Sequence, residues 1–342
     1  MSTRSIAPGA RVAPGAAALL LDGAPAQRVT RHSLDIQVRF GPVRSGASAV
    51  VLCTRAADPD ADELSLRLAA RSVPVVRIDA DRDADDDLAW DGDRLTLTRD
   101  RRTYLPRVLW TRLYAPAARR GDEHAREQTA ARAANLAALP GALTINPGAR
   151  LADAPNRLAQ LAYAAAHGFR TPRSLITHTP RDTGDVVVKA VGPHFHEPEP
   201  GRALTLIPRR MRLASLPAQA APLLVQEPIE HERELRVFVV GERCIAYALR
   251  KPTLDAAARA PETIAVEPAG LPDDVAARVL ALVGDLKLQI AAVDLLDTGD
   301  ELVFLEVNAS GSWRWFEHRT HTSVVSESVA AWVADRFAEV TA

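Results

Sequence analysis

The feature that most constrains the fold is a change of periodicity near Pro172. Before this residue, short apolar strands alternate with an amphipathic helix, in the order Ala49–Cys53, Asp60–Ala70 and Val73–Ile78. Strand, helix, strand at this spacing predicts a parallel sheet with covering helices. After Pro172 the apolar runs are short and separated by turn residues, which predicts an antiparallel sheet. The fold class is therefore α/β, with α+β character in the C-terminal half.

The same patterns predict the remaining elements. The N-terminal half adds a strand at Pro106–Trp110 and an Ala-rich helix at Glu123–Ala138. The antiparallel region has five apolar runs, at Ser174–Thr177, Asp185–Ala190, Ala203–Ile207, Leu223–Gln226 and Leu235–Val240. The last segment has a helix at Asp273–Gly284, strands at Gln289–Leu295 and Leu302–Val307, and a closing helix with the stripe Val325, Val329, Trp332, Val333 and Phe337.

Length and composition narrow the class of protein. A chain of 342 residues that is 47% hydrophobic can bury a large core and should hold two or three subdomains. A formal net charge of -1 gives no electrostatic reason to expect a nucleic acid or an anionic membrane as partner. Cys53 and Cys244 each lie in a predicted buried strand, which favours thiols in a reducing cytosol. The apolar run at Ala16–Leu21 is too short for a secretory signal or a membrane span.

Acidic and amide side chains gather at the end of the last predicted strand. Glu306 and Asn308 are two residues apart, so they should share one face of the strand with Phe304. If the two C-terminal strands form a hairpin whose loop centres on Asp300, Asp294 lies across from Glu306. Two carboxylates and an amide oxygen suit a hard cation such as Mg²⁺. The alternative is that the hairpin acids only solvate a turn, although a buried Glu306 without a partner would be costly.

Lysine is rare, and one lysine lies inside a predicted buried strand. Only Lys189, Lys251 and Lys287 occur in the chain, and Lys189 ends the run Val186-Val187-Val188-Lys189. This placement indicates a site that needs a compact ammonium, and the alternative is a surface lysine with a buried stem. The phosphate-binding patterns G-x-x-x-x-G-K-[ST] and G-x-G-x-x-G are both absent from the sequence. A Walker or dinucleotide-binding protein is therefore not expected.

Several short elements occur in a fixed order along the chain. They are Lys189, the segment Leu224-Val225-Gln226-Glu227-Pro228-Ile229, the triplet Glu234-Leu235-Arg236, Arg250, and the set Asp294, Glu306 and Asn308. In this order they resemble the ATP-grasp ligases, above all the ribosomal-peptide maturases of the graspetide (microviridin) type and, more distantly, the ribosomal-protein glutamate ligases. The resemblance covers about residues 48–335.

The resemblance implies a fold and a division of the chain. It implies an ATP-grasp fold preceded by a Rossmann-like pre-ATP-grasp domain. The expected parts are an extension at residues 1–45, with one possible strand at Leu34–Phe40, a pre-ATP-grasp domain at 46–145, a central subdomain at 146–222 and a C-terminal subdomain at 223–342.

The resemblance also implies roles for individual residues. Lys189, Arg236 and Arg250 would contact the phosphates of ATP and act in catalysis. Gln226, Glu227, Pro228 and Ile229 would line the adenine pocket, and Glu234 would bind the ribose. Asp294, Glu306 and Asn308 would hold two Mg²⁺ ions, with Mn²⁺ as a possible substitute.

Three positions depart from the pattern of that family. The metal strand continues as Asn308-Ala309-Ser310-Gly311, where the family has Asn-Pro-x-Gly. Arg157 stands where the family has a helical lysine. The phosphate-covering loop at residues 192–201 contains His194, His196 and Glu197, which allows a zinc hypothesis, although a mobile lid or a substrate contact surface fits this loop better.

The implied reaction is an ADP-forming ligation through an acyl phosphate. The favoured function is side-chain ester or amide ring closure in a ribosomally made precursor peptide, between acidic residues and Ser, Thr or Lys acceptors. An intermolecular ligase that extends a carboxyl terminus and a catalytically inactive nucleotide-binding module are the alternatives. The run from Trp313 to Arg319 could line a peptide groove, with Arg112 across it, or Trp313, Trp315 and Phe316 could be ordinary core. A cytoplasmic homodimer is expected.

Overall fold

The structure is a computed structural model, and it describes most of the chain from Gly46 onward. The described residues are 46–80, 87–90, 92, 94–114, 127–128, 131–132, 134–135, 141–147, 156–178, 184–192, 195–199, 202–205, 208–212, 221–253, 256 and 260–342. The possible strand at Leu34–Phe40 and most of the predicted helix at Glu123–Ala138 lie outside them.

The N-terminal sheet has a parallel part and an antiparallel part. Its strands are β1 (Ala47–Thr54), β2 (Val75–Asp79), β3 (Asp87–Trp90), β4 (Leu95–Arg99), β5 (Arg102–Thr111) and β6 (Leu143–Ile145). The order is β2-β1-β5-β4-β3, with β6 beside β5. Strands β1, β2, β5 and β6 pair in parallel, as the strand-helix alternation predicted. Helix α1 (Pro59–Ala70) follows Asp58, whose side chain accepts a hydrogen bond from the Ala61 amide and so caps the helix.

The central sheet is antiparallel, and three of the five predicted apolar runs form strands of it. The run at Ala203–Ile207 overlaps a strand of a separate hairpin, and the run at Leu235–Val240 lies in the C-terminal sheet. The central sheet contains β7 (Ser174–Thr177), β8 (Asp185–Ala190), β11 (Arg209–Arg212) and β12 (Leu223–Gln226), in the order β11-β8-β12-β7. The separate hairpin is formed by β9 (Phe195–Glu199) and β10 (Arg202–Thr205). Because β12 pairs with β7 and β8, it belongs to this sheet, whereas the division at residues 222/223 assigns it to the C-terminal subdomain.

The C-terminal sheet has the strand order β15-β14-β13-β16-β17. Its strands are β13 (Arg233–Val240), β14 (Arg243–Arg250), β15 (Ala265–Ala269), β16 (Ile290–Asp297) and β17 (Leu302–Asn308). The helices around it are α2 (Arg157–Ala166), α3 (Asp273–Asp285), α4 (Arg314–Thr320) and α5 (Val324–Thr341), and a short 3-10 helix covers Pro261–Thr263. Cys53 in β1 and Cys244 in β14 are both thiols, as expected.

Each face of the C-terminal sheet packs against a different part of the molecule. One face, with Leu235 and Val237, packs on α2 and α3 in an entirely apolar cluster. The other face, with Phe238 and Tyr247, joins Trp110 of β5 and Val329 of α5 in a core shared with the N-terminal sheet. The N-terminal and C-terminal sheets are therefore tied together by α5, whose predicted stripe at Val325, Val329 and Val333 is buried.

A β-bulge in β17 corrects one detail of the predicted hairpin. Asp294 pairs with Glu306, as predicted, but the next residue, Leu295, pairs with Phe304. Leu305 is therefore the extra residue, and the alternation of side chains changes at this point. Phe304 is buried in the apolar cluster under α2 and α3, on the face opposite Glu306. The prediction that Phe304 shares a face with Glu306 was wrong.

Candidate active site

The face of the C-terminal sheet that carries Phe238 and Tyr247 also carries five of the eleven predicted site residues. Asp294 of β16 pairs with Arg236 of β13 on one side and with Glu306 of β17 on the other. Side chains at paired positions lie on the same face of a sheet. Sheet pairing alone therefore brings three of the predicted side chains together. We call the following group the site cluster: Arg157, Lys189, Glu234, Arg236, Lys251, Asp294, Glu306 and Asn308.

Asp294 lies at the centre of the site cluster. Arg236 Nη1 donates to both oxygens of its carboxylate, at 2.7 Å to Oδ1 and 2.6 Å to Oδ2. Asn308 Nδ2 donates to Asp294 Oδ2 at 3.3 Å and to Glu306 Oε1 at 3.1 Å. One amide group thus joins the two carboxylates, and the three predicted metal ligands form a single contiguous set.

Glu306 is held by a residue of helix α2. Arg157 Nη1 forms an ion pair with Glu306 Oε2, and the Arg157 side chain is buried. One turn further along the same helix, Gln160 binds the backbone of Val307 through both atoms of its amide, at 3.1 Å and 2.9 Å. Helix α2 therefore fixes both the backbone of β17 and the carboxylate that precedes it. The sequence indicated Arg157 only as a departure from the family pattern.

Lys189 reaches the site cluster from the central sheet. Its amino group interacts electrostatically with Glu306, Arg157, Asp294 and Glu234. Burial is the main reason why the pKa of Lys189 is lowered, and Arg157 adds to this, whereas the acidic neighbours oppose it. Lys189 therefore lies among the charged side chains of the site cluster, and its role at the site stays a prediction.

The pKa values of Asp294 and Glu306 shift in opposite directions, although the two carboxylates are neighbours. Burial raises the pKa of Asp294, and the charge of Arg236 only partly offsets it. Burial also acts to raise the pKa of Glu306, but the charges of Arg157 and Lys189 outweigh it and lower the pKa below the ordinary value. An additional cation near Asp294 would stabilise its charged form.

Glu234 and Lys251 complete the cluster, and Arg250 does not join it. Lys251 Nζ binds Glu234 Oε2 at 2.5 Å. Side chains alternate along β14, so Arg250 lies on the same face as Ala246 and Ala248, which belong to the apolar cluster opposite the site. The exposed Arg250 acts there on the charge of Asp297. The structure therefore directs Lys251, one residue later than predicted, toward the site.

The predicted adenine segment lies between β12 and β13. Gln226 is buried, and its Nε2 donates to Ser174 Oγ at 2.9 Å. Glu227 is bound by Arg173 through the Arg173 amide at 3.0 Å and Nε at 2.8 Å, which lowers the pKa of Glu227. Pro228 and Ile229 are partly exposed. Both polar side chains of the segment have protein partners, the Glu227 amide donates to the Arg173 carbonyl at 2.9 Å, and the Ile229 carbonyl contacts His231 Nδ1 at 2.8 Å. The other backbone groups of the segment are the part that can bind a ligand.

The aromatic run after β17 is core rather than a peptide-binding wall. Trp313 and Phe316 are buried, and Trp313 stacks on Trp110 of the N-terminal sheet at 6.3 Å between ring centroids. Arg112, expected across a groove, is buried between these two indole rings, at 5.0 Å from Trp110 and 4.7 Å from Trp313. Arg112 also forms ion pairs with Asp58 and Asp60, each at 3.1 Å. Core packing is the correct alternative for Trp313 and Phe316, whereas Trp315 is only partly buried and packs against this core.

The zinc hypothesis falls largely outside the described part of the chain. His194 and the side chains of residues 195–199 are among the residues that the structure does not describe. In the part that is described, no group of three or more His, Cys, Asp or Glu side chains is arranged to hold a metal ion. The candidate set at Asp294, Glu306 and Asn308 consists of two carboxylates and one amide.

Comparison with protein families identifies the fold around this cluster. The model of the RimK-like ATP-grasp domain matches residues 154–333, which is more than half of the chain. The chain belongs to the RimK-like ATP-grasp family. The matched region includes every member of the site cluster. A comparison with curated proteins found no match.

Solved structures similar to this RimK-like ATP-grasp chain include peptide-modifying ligases. Macrocyclase MdnC from Microcystis aeruginosa, bound to precursor peptide MdnA, has a TM-score of 0.70 and 22% identity over 84% of this chain and 99% of its own. An ATP-grasp ligase from Chryseobacterium gregarium, in complex with ADP and leader and core peptides, has a TM-score of 0.70 and 19% identity over 85% and 97%. The ligase PsnB, with a precursor variant, Mg and ADP, has a TM-score of 0.63 and 19% identity over 84% and 100%. At these identities the likeness establishes the ATP-grasp fold.

None of the helices in the described ranges is both long and apolar enough to span a bilayer.

Proposed function

We propose that the protein is an ADP-forming ligase that activates a carboxylate of a precursor peptide with ATP and closes a side-chain ester or amide ring. The observation that carries the proposal is the charge balance of the site cluster. Four basic side chains, Arg157, Lys189, Arg236 and Lys251, surround three carboxylates, Glu234, Asp294 and Glu306. An excess of positive charge on side chains that are largely removed from solvent is unfavourable unless an anion joins it, and a nucleotide polyphosphate is such an anion.

The residues present fit a metal-nucleotide complex in two further respects. Nε of Arg236 is buried and has no hydrogen-bond acceptor among the described residues, so a donor is available for a phosphate oxygen. Asp294, Glu306 and Asn308 offer the oxygen ligands that Mg²⁺ prefers, and a bound ion would neutralise charge between the β- and γ-phosphates. For the ion to bind, Arg157 and Arg236 must give up carboxylate oxygens, and the same guanidinium groups could then bind phosphate oxygens.

Each residue of the cluster has a role in this proposal that requires no protein nucleophile. Lys189, Arg236 and Arg157 bind and orient the phosphates, and Lys251 takes the role first expected of Arg250. Glu234 binds the ribose once its contact with Lys251 is exchanged for a contact to a hydroxyl group. The backbone of residues 227–229 binds the adenine edge. Positive charge spread around the γ-phosphate stabilises its transfer to a substrate carboxylate.

Ring closure is favoured because the similar structures are ligases solved with precursor or core peptides, one of them described as a macrocyclase. The acceptors would be Ser, Thr or Lys side chains that attack the activated Asp or Glu of the same peptide. Extension of a carboxyl terminus is the second candidate, because the matching family model is that of RimK-like domains.

A cytoplasmic homodimer and a division into subdomains at 46–145, 146–226 and 227–342 also belong to the proposal.

The experiment that tests the function follows both substrates in one reaction. A candidate acidic precursor is incubated with enzyme, ATP and Mg²⁺, and the nucleotide and the peptide mass are measured together. The proposal predicts ADP rather than AMP and a loss of about 18 Da, one water, for each ring closed. A peptide that gains the mass of an amino-acid residue would favour the extension ligase. AMP as product, or no reaction with any acidic peptide, would contradict the proposed mechanism.

A further inference from the structure

The backbone directly after Asn308 is held by a residue of the N-terminal sheet. Asn146 follows β6 and is buried, and its Nδ2 donates to the Ala309 carbonyl at 3.1 Å and to the Ile290 carbonyl at 2.6 Å. Its Oδ1 accepts from the amides of Gln289, at 2.8 Å, and Ile290, at 3.0 Å. Because Ile290 begins β16 and Ala309 follows β17, one side chain ties both strands of the ligand hairpin at the same end.

A second residue from the N-terminal part holds the other end of this segment. Asp60 of helix α1 is buried, and its Oδ1 accepts from the amides of Trp313, at 3.1 Å, and Arg314, at 2.9 Å. Its other oxygen, Oδ2, accepts from Arg112 Nη2 at 3.1 Å. The five residues from Ala309 to Trp313 are therefore fixed at both ends by side chains that belong to the N-terminal half of the chain.

Packing leaves this segment no room to shift toward the sheet. A Cβ atom added at Gly311 would lie 2.5 Å from the Cβ of Ala292, closer than such atoms approach in real structures. Ala292 is the residue that pairs with Asn308. The segment therefore lies directly on the strand that opposes the ligand, and its position and that of Asn308 depend on each other.

We propose that Asn146 and Asp60 are positioning residues that set the affinity of the site for its divalent cation by fixing the backbone that carries Asn308. This inference rests on the proposed function, since it takes Asn308 as a metal ligand. Neither residue belongs to the site cluster, and both act through the segment 309–313. Loss of a group that orients a metal ligand typically weakens metal binding by about 10–100-fold.

The test measures cation binding directly. Mn²⁺ binding is followed by electron paramagnetic resonance with ADP present, in the wild type and in Asn146→Gly. Glycine accepts the left-handed backbone of this position, where φ is 57°, so the substitution removes mainly the side-chain contacts. We expect the dissociation constant for Mn²⁺ to rise about tenfold or more, while the affinity for ADP without metal stays unchanged. Asp60→Asn is a second variant that keeps an acceptor oxygen and should give a smaller rise.

The matched control weakens a contact between α5 and the N-terminal half of the chain that lies away from the ligand hairpin. Glu327 of α5 pairs with Arg67 of α1 at 2.6 Å and also with Arg71. Glu327→Gln should leave the Mn²⁺ dissociation constant at the wild-type value. Unchanged Mn²⁺ binding in both Asn146→Gly and Asp60→Asn, or equal weakening in the control, would overturn the inference. A wild type that binds no Mn²⁺ with ADP would instead refute the metal site of the proposed function, and the inference with it.

Discussion

Two clusters of arginine and carboxylate side chains lie on either side of the segment after β17, and they differ in net charge. In the first, Arg112 meets Asp58 and Asp60, which also accept bonds from Thr54 and from backbone amides. We call these three residues the interface cluster. In the site cluster, basic groups outnumber carboxylates, and Arg236 keeps a buried donor with no acceptor among the described residues. Arg112 Nη1 is likewise a buried donor with no acceptor among the described residues. The two clusters therefore differ in net charge: carboxylates outnumber the basic group in the interface cluster, and basic groups outnumber carboxylates in the site cluster.

The difference teaches that residue type alone does not separate a structural from a functional arginine. Arg112 has its charge more than balanced by two carboxylates and lies between two indole rings. Arg236 shares Asp294 with a second predicted ligand, Asn308. The distinguishing feature is the charge balance of each cluster, which can be counted only after the fold has brought the residues together.

The largest effect is expected from Glu306→Gln in the site cluster. The substitution keeps size and removes the charge that Arg157 and the proposed metal share, so turnover to ADP should fall by at least about a thousandfold. The unfolding midpoint in urea should remain close to that of the wild type. Glu301→Gln, at an exposed acid in the turn of the same hairpin, is the control and should retain full turnover. Substantial activity in Glu306→Gln would remove Glu306 from the site.

The next largest effect is expected from Arg112→Met in the interface cluster. The change leaves Asp58 and Asp60 buried without their cation, which typically costs about 3–5 kcal/mol of stability. Urea denaturation monitored by the fluorescence of the tryptophans should report this loss. ADP binding at low temperature should persist in the folded fraction. If Arg112→Met is as stable as the wild type but loses ADP binding, Arg112 belongs to the ligand site and the contrast between the clusters is wrong.

Two neighbouring basic residues at the C-terminal end of β14 allow the same comparison between a site residue and a residue outside the site. Lys251 contacts Glu234 in the site cluster, whereas Arg250 lies on the opposite face. Lys251→Met should raise the KM for ATP about tenfold, in line with the loss of a hydrogen bond to a charged group. Arg250→Met should change it by less than about twofold. Steady-state kinetics of both variants decides between them, and the reverse ranking would reinstate Arg250 as the phosphate ligand.

The smallest expected effect is on how the free energy of unfolding depends on pH in the acidic range. Burial acts to raise the pKa of Asp58, but Arg112 and the hydrogen bonds from Thr54 and Ala61 outweigh it and lower the pKa below the ordinary 3.8. A folded-state pKa below the unfolded one stabilises the protein above pH 3.8, and this contribution is lost as the pH falls through the folded value. The free energy of unfolding of the wild type should therefore fall more between neutral pH and pH below 3.8 than that of Asp58→Asn. Parallel acid dependences would show that Asp58 contributes no such linkage.

Much of the fold followed from local patterns in the sequence. The alternation of apolar residues placed β7, β8 and β12 at their observed bounds, and the spacing of Asp294 and Glu306 predicted their pairing across the hairpin. The bulge at Leu305 could not be predicted, because a single extra residue in a strand has no clear signature in one sequence. Its consequence was the wrong face for Phe304.

The differences between the expected and the observed positions of side chains have another physical origin. Strand alternation, applied to β14, would have favoured Lys251 over Arg250, since only one of two neighbouring residues can face the site. The sequence did not predict that Arg112 is buried, and it left burial of Trp313 as one of two alternatives. The buried state of both residues depends on contacts between residues more than 200 positions apart, which join the N-terminal sheet to the segment after β17.

The most direct test of the account is a crystal structure with ADP and Mg²⁺. We expect the ion between Asp294, Glu306 and Asn308, with Arg157 and Arg236 moved from the carboxylates to phosphate oxygens. The interface cluster around Arg112 should be unchanged. A nucleotide bound away from these residues, or an ADP complex in which Arg157 still holds Glu306 and no cation is present, would contradict the central claim that the site cluster is a metal-nucleotide site.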